Sequence, residues 1–478
     1  MVCRKWHFLC KEYNIYANHS CVGTWCKSDF CTESGHKVNE CDNISQFFLP
    51  LDKNLSEKTF KGKYELNKDK LREVLAKCAK VKALVLKFAR ISDIETLDVI
   101  ANHCPQLEHL DLSHTWTKPE TMFRLNSFIA SVGHNLTHLN LLGFDKITEN
   151  QLRVFMYGCP NIEHLIIGIG SDNLASIGDQ PSKGQFLALV GDRIKKVHIY
   201  FKYDDASCIE ENNFGANSLN ALAKGNGRFI EELKINGVLS SNWIEIISKN
   251  FKQLKTFSIG GFFIDLRIES NYQEMGAIIA RLTNLENLII RFPENISFEV
   301  GLLDIIRGCR KMKSLQIYGT PISDSLIIQL PHYCPNLSKL CLYYMRRSVA
   351  PNPRILPTDH CLPFVAQLRN LEHLALHCCE VTDDGLLDVI TACPQLSVID
   401  VRNCTLVTQT LVNICAQLAS VRSKSLVKLY IFGTNIRDEN IGNVTSNFHL
   451  SRQRFIYVDE ESLAYNCDGL FVPNLYDN

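Results

Sequence analysis

The sequence lacks both a net charge and a long apolar run. Basic and acidic residues balance at 51 each in 478 residues. A balanced chain creates no overall field that would attract nucleic acid or an acidic membrane, so neither partner is expected. No segment approaches the roughly 18 apolar residues of a membrane-spanning helix. No apolar core follows the basic pair Arg4-Lys5, which argues against a signal peptide.

Motifs of enzymes are missing as well. The chain contains no G-x-x-x-x-G-K-[ST], G-x-G-x-x-G, H-E-x-x-H or C-x-x-C sequence. It therefore shows no sign of a phosphate-binding loop, a dinucleotide site, a zinc protease site or a dithiol redox site. We expect no catalytic residues and no cofactor.

What the sequence does contain is a repeat. An apolar triplet of the form L-x-x-L-x-L occurs about thirteen times, at intervals typical of a solenoid. Cys-Pro precedes four copies, beginning at Cys104, Cys159, Cys334 and Cys393. The other triplets begin at Val81, Leu136, Ile194, Ile230, Leu254, Leu285, Met312, Leu371 and Leu426. Most of the 20 cysteines recur at repeat positions, so we interpret them as reduced, buried residues of an intracellular protein.

One repeat, residues 371–404, shows how each copy is built. Its first part alternates apolar and polar residues, which predicts a short strand. Thr382 or Asp383 is then suited to begin a helix that ends before Cys393-Pro394. Strand and helix each have one apolar face, and stacking of successive copies buries both.

These motifs resemble the cysteine-containing leucine-rich repeat family. The resemblance implies an α/β solenoid, a horseshoe with parallel strands on its concave face and helices on its convex face. We assign the array to residues 65–478, with about 13 repeats and terminal caps. The N-terminal cap is predicted to be an amphipathic helix carrying Leu66, Leu71, Val74, Leu75 and Cys78. Residues 168–193 and 200–228 are predicted to have short helices or loops, and residues 346–362 a loop.

The first residues resemble the last helix of an F-box, whose closing pattern is V-C-[KR]-x-W. We assign residues 1–14 to this remnant and residues 15–64 to a cysteine-rich linker. The resemblance implies docking to a Skp-type adaptor and cullin through Val2, Cys3, Trp6, Phe8 and Leu9. The upstream part of an F-box is not in this sequence. The alternative is an ordinary surface helix with one packed tryptophan.

A regular spacing marks the linker. Cysteine or histidine recurs every five residues, and Cys26, Cys31, His36 and Cys41 could close a tetrahedral zinc site. The alternative is a cysteine-rich linker with accidental spacing. We assign no metal to the chain on this pattern alone.

Two ladders are predicted on the concave face. One, at the position after the last apolar residue of each triplet, carries arginine and aromatic side chains in the C-terminal half: Arg291, Tyr318, Tyr343, His377, Arg402 and Phe432. Such side chains dominate protein interfaces, although any exposed strand position carries some aromatics. The other carries His109, His138, His164 and His373, which could sense pH or hold a metal, or could simply be tolerated there.

Repeats and F-box remnant together predict a protein-binding, non-enzymatic chain. The resemblance implies a substrate-recognition subunit of an SCF-type ubiquitin ligase, a monomer within a hetero-complex in the cytoplasm or nucleus. A ligase-independent scaffold or inhibitor that uses the same face is the alternative.

Overall fold

The structure, a computed structural model, describes about two thirds of the chain, and the described residues fall in two compact units: unit 1 up to Ile230 and unit 2 from Glu231 onward. The described residues are 46–48, 64–65, 68–76, 81–86, 89–91, 93, 95–113, 115–117, 124–143, 149–170, 185–190, 192–202, 212–239, 241–263, 269–292, 298–344, 356–421, 427–436 and 448–452.

Unit 1 contains a parallel sheet and a second, smaller one. The strands of unit 1 are β1 (Gln46–Phe48), β2 (Tyr64–Glu65), β3 (Ala83–Val85), β4 (Ala89–Ile91), β5 (His109–Asp111), β6 (Trp116–Thr117), β7 (His138–Leu141), β8 (His164–Gly170) and β9 (Lys196–Lys202). The main sheet runs β1-β3-β5-β7-β8-β9, with parallel pairing throughout. Strands β2, β4 and β6 form the second sheet.

Unit 2 contains one parallel sheet whose strands follow in chain order. They are β10 (Glu232–Leu239), β11 (Thr256–Phe263), β12 (Asn287–Arg291), β13 (Ser314–Tyr318), β14 (Lys339–Tyr343), β15 (His373–His377), β16 (Val398–Asp400), β17 (Val427–Tyr430) and β18 (Phe448–Ser451). Each pairs in parallel with the next. The predicted α/β leucine-rich-repeat architecture, with parallel strands joined by helices, is confirmed.

Helices connect the strands. Unit 1 has α1 (Lys68–Ala76), α2 (Thr96–His103), α3 (Leu125–Val132), α4 (Glu149–Gly158) and α5 (Asn212–Asn226). Unit 2 has α6 (Ser241–Asn250), α7 (Glu269–Ile279), α8 (Glu299–Gly308), α9 (Asp324–Ile327), α10 (Leu330–Tyr333), α11 (Leu362–Val365), α12 (Asp383–Ala392) and α13 (Gln409–Val421). The triplet residues alternate with outward-pointing ones, as Leu288 and Ile290 do in β12, and are buried in the core. We call the opposite side of each strand the outer face.

Aspartates tie the starts of successive helices together in unit 2. The Asp324 carboxylate accepts hydrogen bonds from the backbone N–H and hydroxyl of Thr358, at 2.9 and 2.6 Å. Asp359 accepts the same pair from Thr382, at 2.8 and 2.6 Å. Thr382 in turn caps α12 by accepting from the Gly385 N–H. The Thr-Asp pairs in the sequence therefore serve one helix and its neighbour at once.

Cysteines close the other ends of the helices. The Cys309 thiol lies 3.4 Å from the carbonyl oxygen of Leu282, and the Cys393 thiol lies 3.4 Å from that of Leu368. Burial raises the pKa of Cys309 to about 12, so the sulfur remains a neutral donor. All eleven cysteines in the described segments are buried, and none of them forms a disulfide, as predicted.

Two segments contain secondary structure that the sequence did not indicate. Strand β1 lies inside the predicted linker 15–64 and pairs with β3, so the sheet begins before residue 65. Segment 200–228, predicted to be short-helical or loop, contains α5 with its 15 residues. Its asparagines and glycines are poor helix formers, but Leu219 and Leu222 are fully buried, and packing outweighs propensity. The predicted helix near residue 71 is confirmed as α1.

Several predictions lie outside the described residues. They are the F-box remnant, the cysteine and histidine spacing at residues 26–41, and most of the C-terminal cap. The predicted loop 346–362 is described only from residue 356, where a short 3-10 helix, Asp359–Cys361, leads into α11. None of the helices in the described ranges is both long and apolar enough to cross a membrane.

Candidate protein-binding face

The structure brings together the predicted ladder of arginine and aromatic residues. Arg291, Tyr318, Tyr343 and His377 are consecutive Cα partners in strands β12 to β15. The backbone continues this register, since the Cys378 N–H donates to the Arg402 carbonyl at 3.0 Å. In the same way Asn403 donates to the Phe432 carbonyl at 2.7 Å. We call these six residues, Arg291 to Phe432, the arginine–aromatic column.

Ring stacking holds the first half of the column in one arrangement. The Arg291 guanidinium lies 5.4 Å from the centre of the Tyr318 ring. Tyr318 stacks on Tyr343 with ring centres 4.5 Å apart and planes 15° from parallel. Tyr343 meets His377 at 6.0 Å. Such contacts contribute about 0.5–1.5 kcal/mol each beyond burial, so the face is ordered before any partner arrives.

Hydrogen bonds fix the ring of His377. Its Nδ1 lies 3.0 Å from the Tyr344 carbonyl oxygen, and its Nε2 lies 3.0 Å from the side-chain nitrogen of Asn403. A carbonyl accepts and an amide nitrogen donates, so Nδ1 carries the proton and Nε2 accepts. Burial lowers the pKa of His377, against the opposing effect of the Tyr344 carbonyl, and the ring is neutral near pH 7.

Two members of the column do not lie at the surface as predicted. Arg402 is 2% exposed and Tyr343 is 7% exposed. The guanidinium of Arg402 forms two bonds to the Asp400 carboxylate, Nε to Oδ1 at 2.9 Å and Nη2 to Oδ2 at 2.5 Å. Arg402 therefore does not offer its charge directly to a partner, contrary to the prediction. The partly exposed members are Arg291, Tyr318, His377 and Phe432.

Sequence reasoning missed the residues that support the column. Asp400 precedes Arg402 by two positions on the same strand face, and Tyr430 lies 5.1 Å from the Arg402 guanidinium. The signal available was the opposite charge at i and i+2, which places two side chains on one side of a strand. Nothing in the pattern marked the pair as buried.

A left-handed residue follows the column position in several repeats. Gly319 has φ +85°, Gly433 +73°, Cys378 +59° and Asn403 +58°. The chain turns sharply there from the strand toward the helix. Glycine adopts this conformation without strain, and asparagine tolerates it better than most residues.

The predicted histidine ladder exists in unit 1. His109, His138 and His164 are register partners in strands β5, β7 and β8. His109 and His138 stack with ring centres 5.3 Å apart, and His198, which the sequence did not indicate, lies 4.8 Å from His164. No group of three or more metal-ligating side chains suited to an ion occurs in the residues that the structure describes.

Acidification is expected to destabilise unit 1. Burial lowers the pKa of His109, aided by His138 and opposed by Asp111. Burial also lowers the pKa of His138, aided by Lys196 and opposed by Glu163 and Glu108. The unfolded chain therefore binds more protons below about pH 6.5, and stability falls as the pH drops through that range.

Thermal unfolding between pH 7.5 and 5.5 measures this effect. The variant His109→Gln with His138→Gln should lose much of the pH dependence seen in the parent chain. An unchanged pH dependence in the variant would assign the effect to other groups.

A model of a known protein family matches one repeat of the chain. The model described as Leucine Rich repeat matches residues 367–389, which span β15 and most of α12. Residues 367–389 are therefore similar to a leucine-rich repeat. F-box protein MAX2 homolog A from Petunia hybrida is 25% identical over 246 residues, which cover 47% of this chain and 34% of that protein. The chain thus matches about a third of the curated relative's length.

A solved structure from yeast shares the fold. A chain from the Rad7 and Elc1 complex of yeast matches with a TM-score of 0.53 and 14% identity, over 84% of this chain and 89% of that one. An internalin from Listeria monocytogenes matches with a TM-score of 0.33 and 14% identity, over 79% and 82%. The family model and the relative support the resemblance to F-box/leucine-rich-repeat proteins, and the yeast structure supports the solenoid fold.

Proposed function

We propose that this protein is the substrate-recognition subunit of an SCF-type ubiquitin ligase. In this proposal the outer face of unit 2 holds a target protein, and an F-box binds the Skp-type adaptor and cullin in the cytoplasm or nucleus. The chain performs no chemistry of its own. It raises the effective concentration of the target's lysines near the catalytic subunit of the ligase.

The arginine–aromatic column carries the proposal. Nine parallel strands about 4.8 Å apart give unit 2 an outer face roughly 40 Å long, which suits a folded protein or an extended segment. Tyr318 and Arg291 are the residue types that contribute most to protein interfaces, and their stacking removes part of the ordering cost of binding. Small metabolites bind in enclosed pockets, and a strip of this kind does not favour them.

The ligase part of the proposal rests on relatedness. The relative from Petunia hybrida is named an F-box protein, and the sequence Val2-Cys3-Arg4-Lys5-Trp6 fits the end of an F-box. The yeast structure contains Rad7 in complex with Elc1, which supports an adaptor partner by analogy of fold.

Co-expression with the Skp-type adaptor and cullin tests the proposal. We expect the adaptor to co-purify with the chain, or with a version that carries a complete F-box in front of it. Capture should be lost in the variant Trp6→Ala with Leu9→Ala and kept in a variant altered at Lys224, which is exposed on α5. Failure of both versions to capture the adaptor would contradict the ligase role and favour the scaffold or inhibitor.

A further inference from the structure

The outer face of unit 2 is positively charged, although the whole chain is neutral. From β11 to β18, the outward positions carry four basic side chains and one carboxylate, that of Asp400. The basic residues are Arg291, Lys339, Arg402 and Lys428. Asp400 neutralises Arg402 through two bonds, so the excess of positive charge belongs to the other three.

Two lysines occupy the first outward position of their strands. Lys339 in β14 and Lys428 in β17 lie in one row across the sheet. His373 in β15 and Val398 in β16 are the register partners between them. Three strand spacings separate the two lysine backbones, or about 14 Å. Both side chains are partly exposed.

Two lysines that directly precede strands of unit 2 are neutralised by glutamates. Lys255 lies 2.9 Å from the Glu231 carboxylate and Lys313 lies 2.7 Å from that of Glu286, so basic and acidic residues alternate across the strands. Lys339 and Lys428 form no ion pair with any residue in the described segments. Among the described residues, no ion pair offsets these two charges, so an anionic partner on this face would meet them.

The imidazole of His373 lies between these charges. The pKa of His373 is lowered to about 3. Burial is the main cause, and the positive charges of Lys339, Lys428 and Arg402 lower it further. The ring is uncharged at pH 7, so one of its nitrogens carries a proton that could be donated to an anion in this positive environment. An anionic group placed here would be attracted by both lysines at once.

Aromatic side chains border the charged positions. The middle outward positions of β14 and β15 hold the small residues Cys341 and Ala375, which pack against Tyr343 with Tyr318 beside them. An extended segment crossing these strands would meet lysines on one side of the small residues and tyrosines on the other. This arrangement suits a chain that mixes acidic and apolar residues.

We propose that this face binds an extended acidic segment of the partner protein, whose carboxylates pair with Lys339 and Lys428 while an apolar side chain packs on Tyr318. The inference rests on the proposed protein-binding role of the outer face. The separation of the lysines favours several carboxylates over a single phosphate. Lysine also acts as a point charge and lacks the bidentate hydrogen-bond geometry by which arginine binds one phosphate.

Peptide binding tests this inference. A fluorescein-labelled decapeptide of alternating Glu and Leu residues is titrated with the full chain and followed by fluorescence anisotropy. We expect the variant Lys339→Glu with Lys428→Glu to weaken binding at least tenfold, because attraction becomes repulsion. The control Lys224→Glu with Lys252→Glu changes the net charge equally at exposed helix and turn positions and should leave binding within about twofold.

Three further ligands distinguish an acidic segment from the other molecules that could bind this face. A matched Gln-Leu peptide should bind at least tenfold more weakly than the acidic one. Tighter binding of a neutral peptide with one phosphoserine, or of a twelve-nucleotide single-stranded RNA, would overturn the proposal in favour of that ligand. Equal binding by both charge-reversal variants, or no binding by the parent chain, would also overturn it. Capture of the Skp-type adaptor is measured separately, so failure here leaves the proposed ligase role to its own test.

Discussion

Replacing Asp400 with alanine is expected to lower the free energy of unfolding of unit 2 by about 3–5 kcal/mol, because the charge of Arg402 stays buried without this carboxylate. Both side chains are only 3% exposed. In the parent chain the two groups share two hydrogen bonds, which compensate for the loss of water around both charges. Urea unfolding followed by circular dichroism measures the change.

Two controls separate burial from charge. Glu286→Ala removes a 2.7 Å partner of Lys313, but in that pair the lysine is 56% exposed, so we expect a loss below about 1 kcal/mol. Asp400→Leu with Arg402→Met should recover much of the stability lost in Asp400→Ala, since apolar residues can replace a buried pair. If Asp400→Ala costs no more than Glu286→Ala, the pair does not stabilise unit 2 in this way.

The repeat pattern was sufficient to predict strands and register. Each apolar triplet forms a strand in the same register as the strands of the neighbouring repeats. Residues at the same position in successive repeats therefore become neighbours across the sheet, as Tyr318 and Tyr343 do. Cysteines could be placed in the core for the same reason. Local alternation and period carry this information, and both are visible in one sequence.

Burial of the outward residues could not be predicted in the same way. Arg402 occupies an outward position, yet it is buried, because its exposure depends on the side chains around it and on the match with Asp400. The extra strand β1 escaped notice because it is only three residues long and has no apolar triplet. Lys339 and Lys428 were overlooked because their significance comes from neighbours that lack compensating charge. These are properties of packing between repeats, which a pattern along the chain does not encode.

The stacked column also explains why its residues should act together in binding. Arg291, Tyr318 and Tyr343 are held by contacts between repeats, and each contact depends on the register of the strands beneath it. A change in the backbone at the strand ends should therefore disturb stability and binding at once. The turn after Tyr318 allows a test of this joint effect on stability and binding, because one added methyl group at Gly319 disturbs the backbone there.

Replacing Gly319 with alanine is expected to cost about 2–5 kcal/mol of unfolding free energy. Part of the cost, about 1–2 kcal/mol, comes from the left-handed backbone at φ +85°. The rest comes from overlap, since the added methyl group would collide with the carbonyl oxygen of Phe292 in the neighbouring repeat. Urea unfolding measures the loss.

The same substitution should weaken binding of the acidic peptide, because two backbone hydrogen bonds beside Gly319 hold the arginine–aromatic column in place. The Gly319 N–H donates to the Tyr343 carbonyl and the Phe292 N–H donates to the Tyr318 carbonyl, each at 2.9 Å. Gly225→Ala is the matched control, since the backbone there lies at the end of a helix and the added methyl group meets only an ordinary contact. Loss of stability without any loss of binding would show that the turn supports the fold but does not position Tyr318 for a partner.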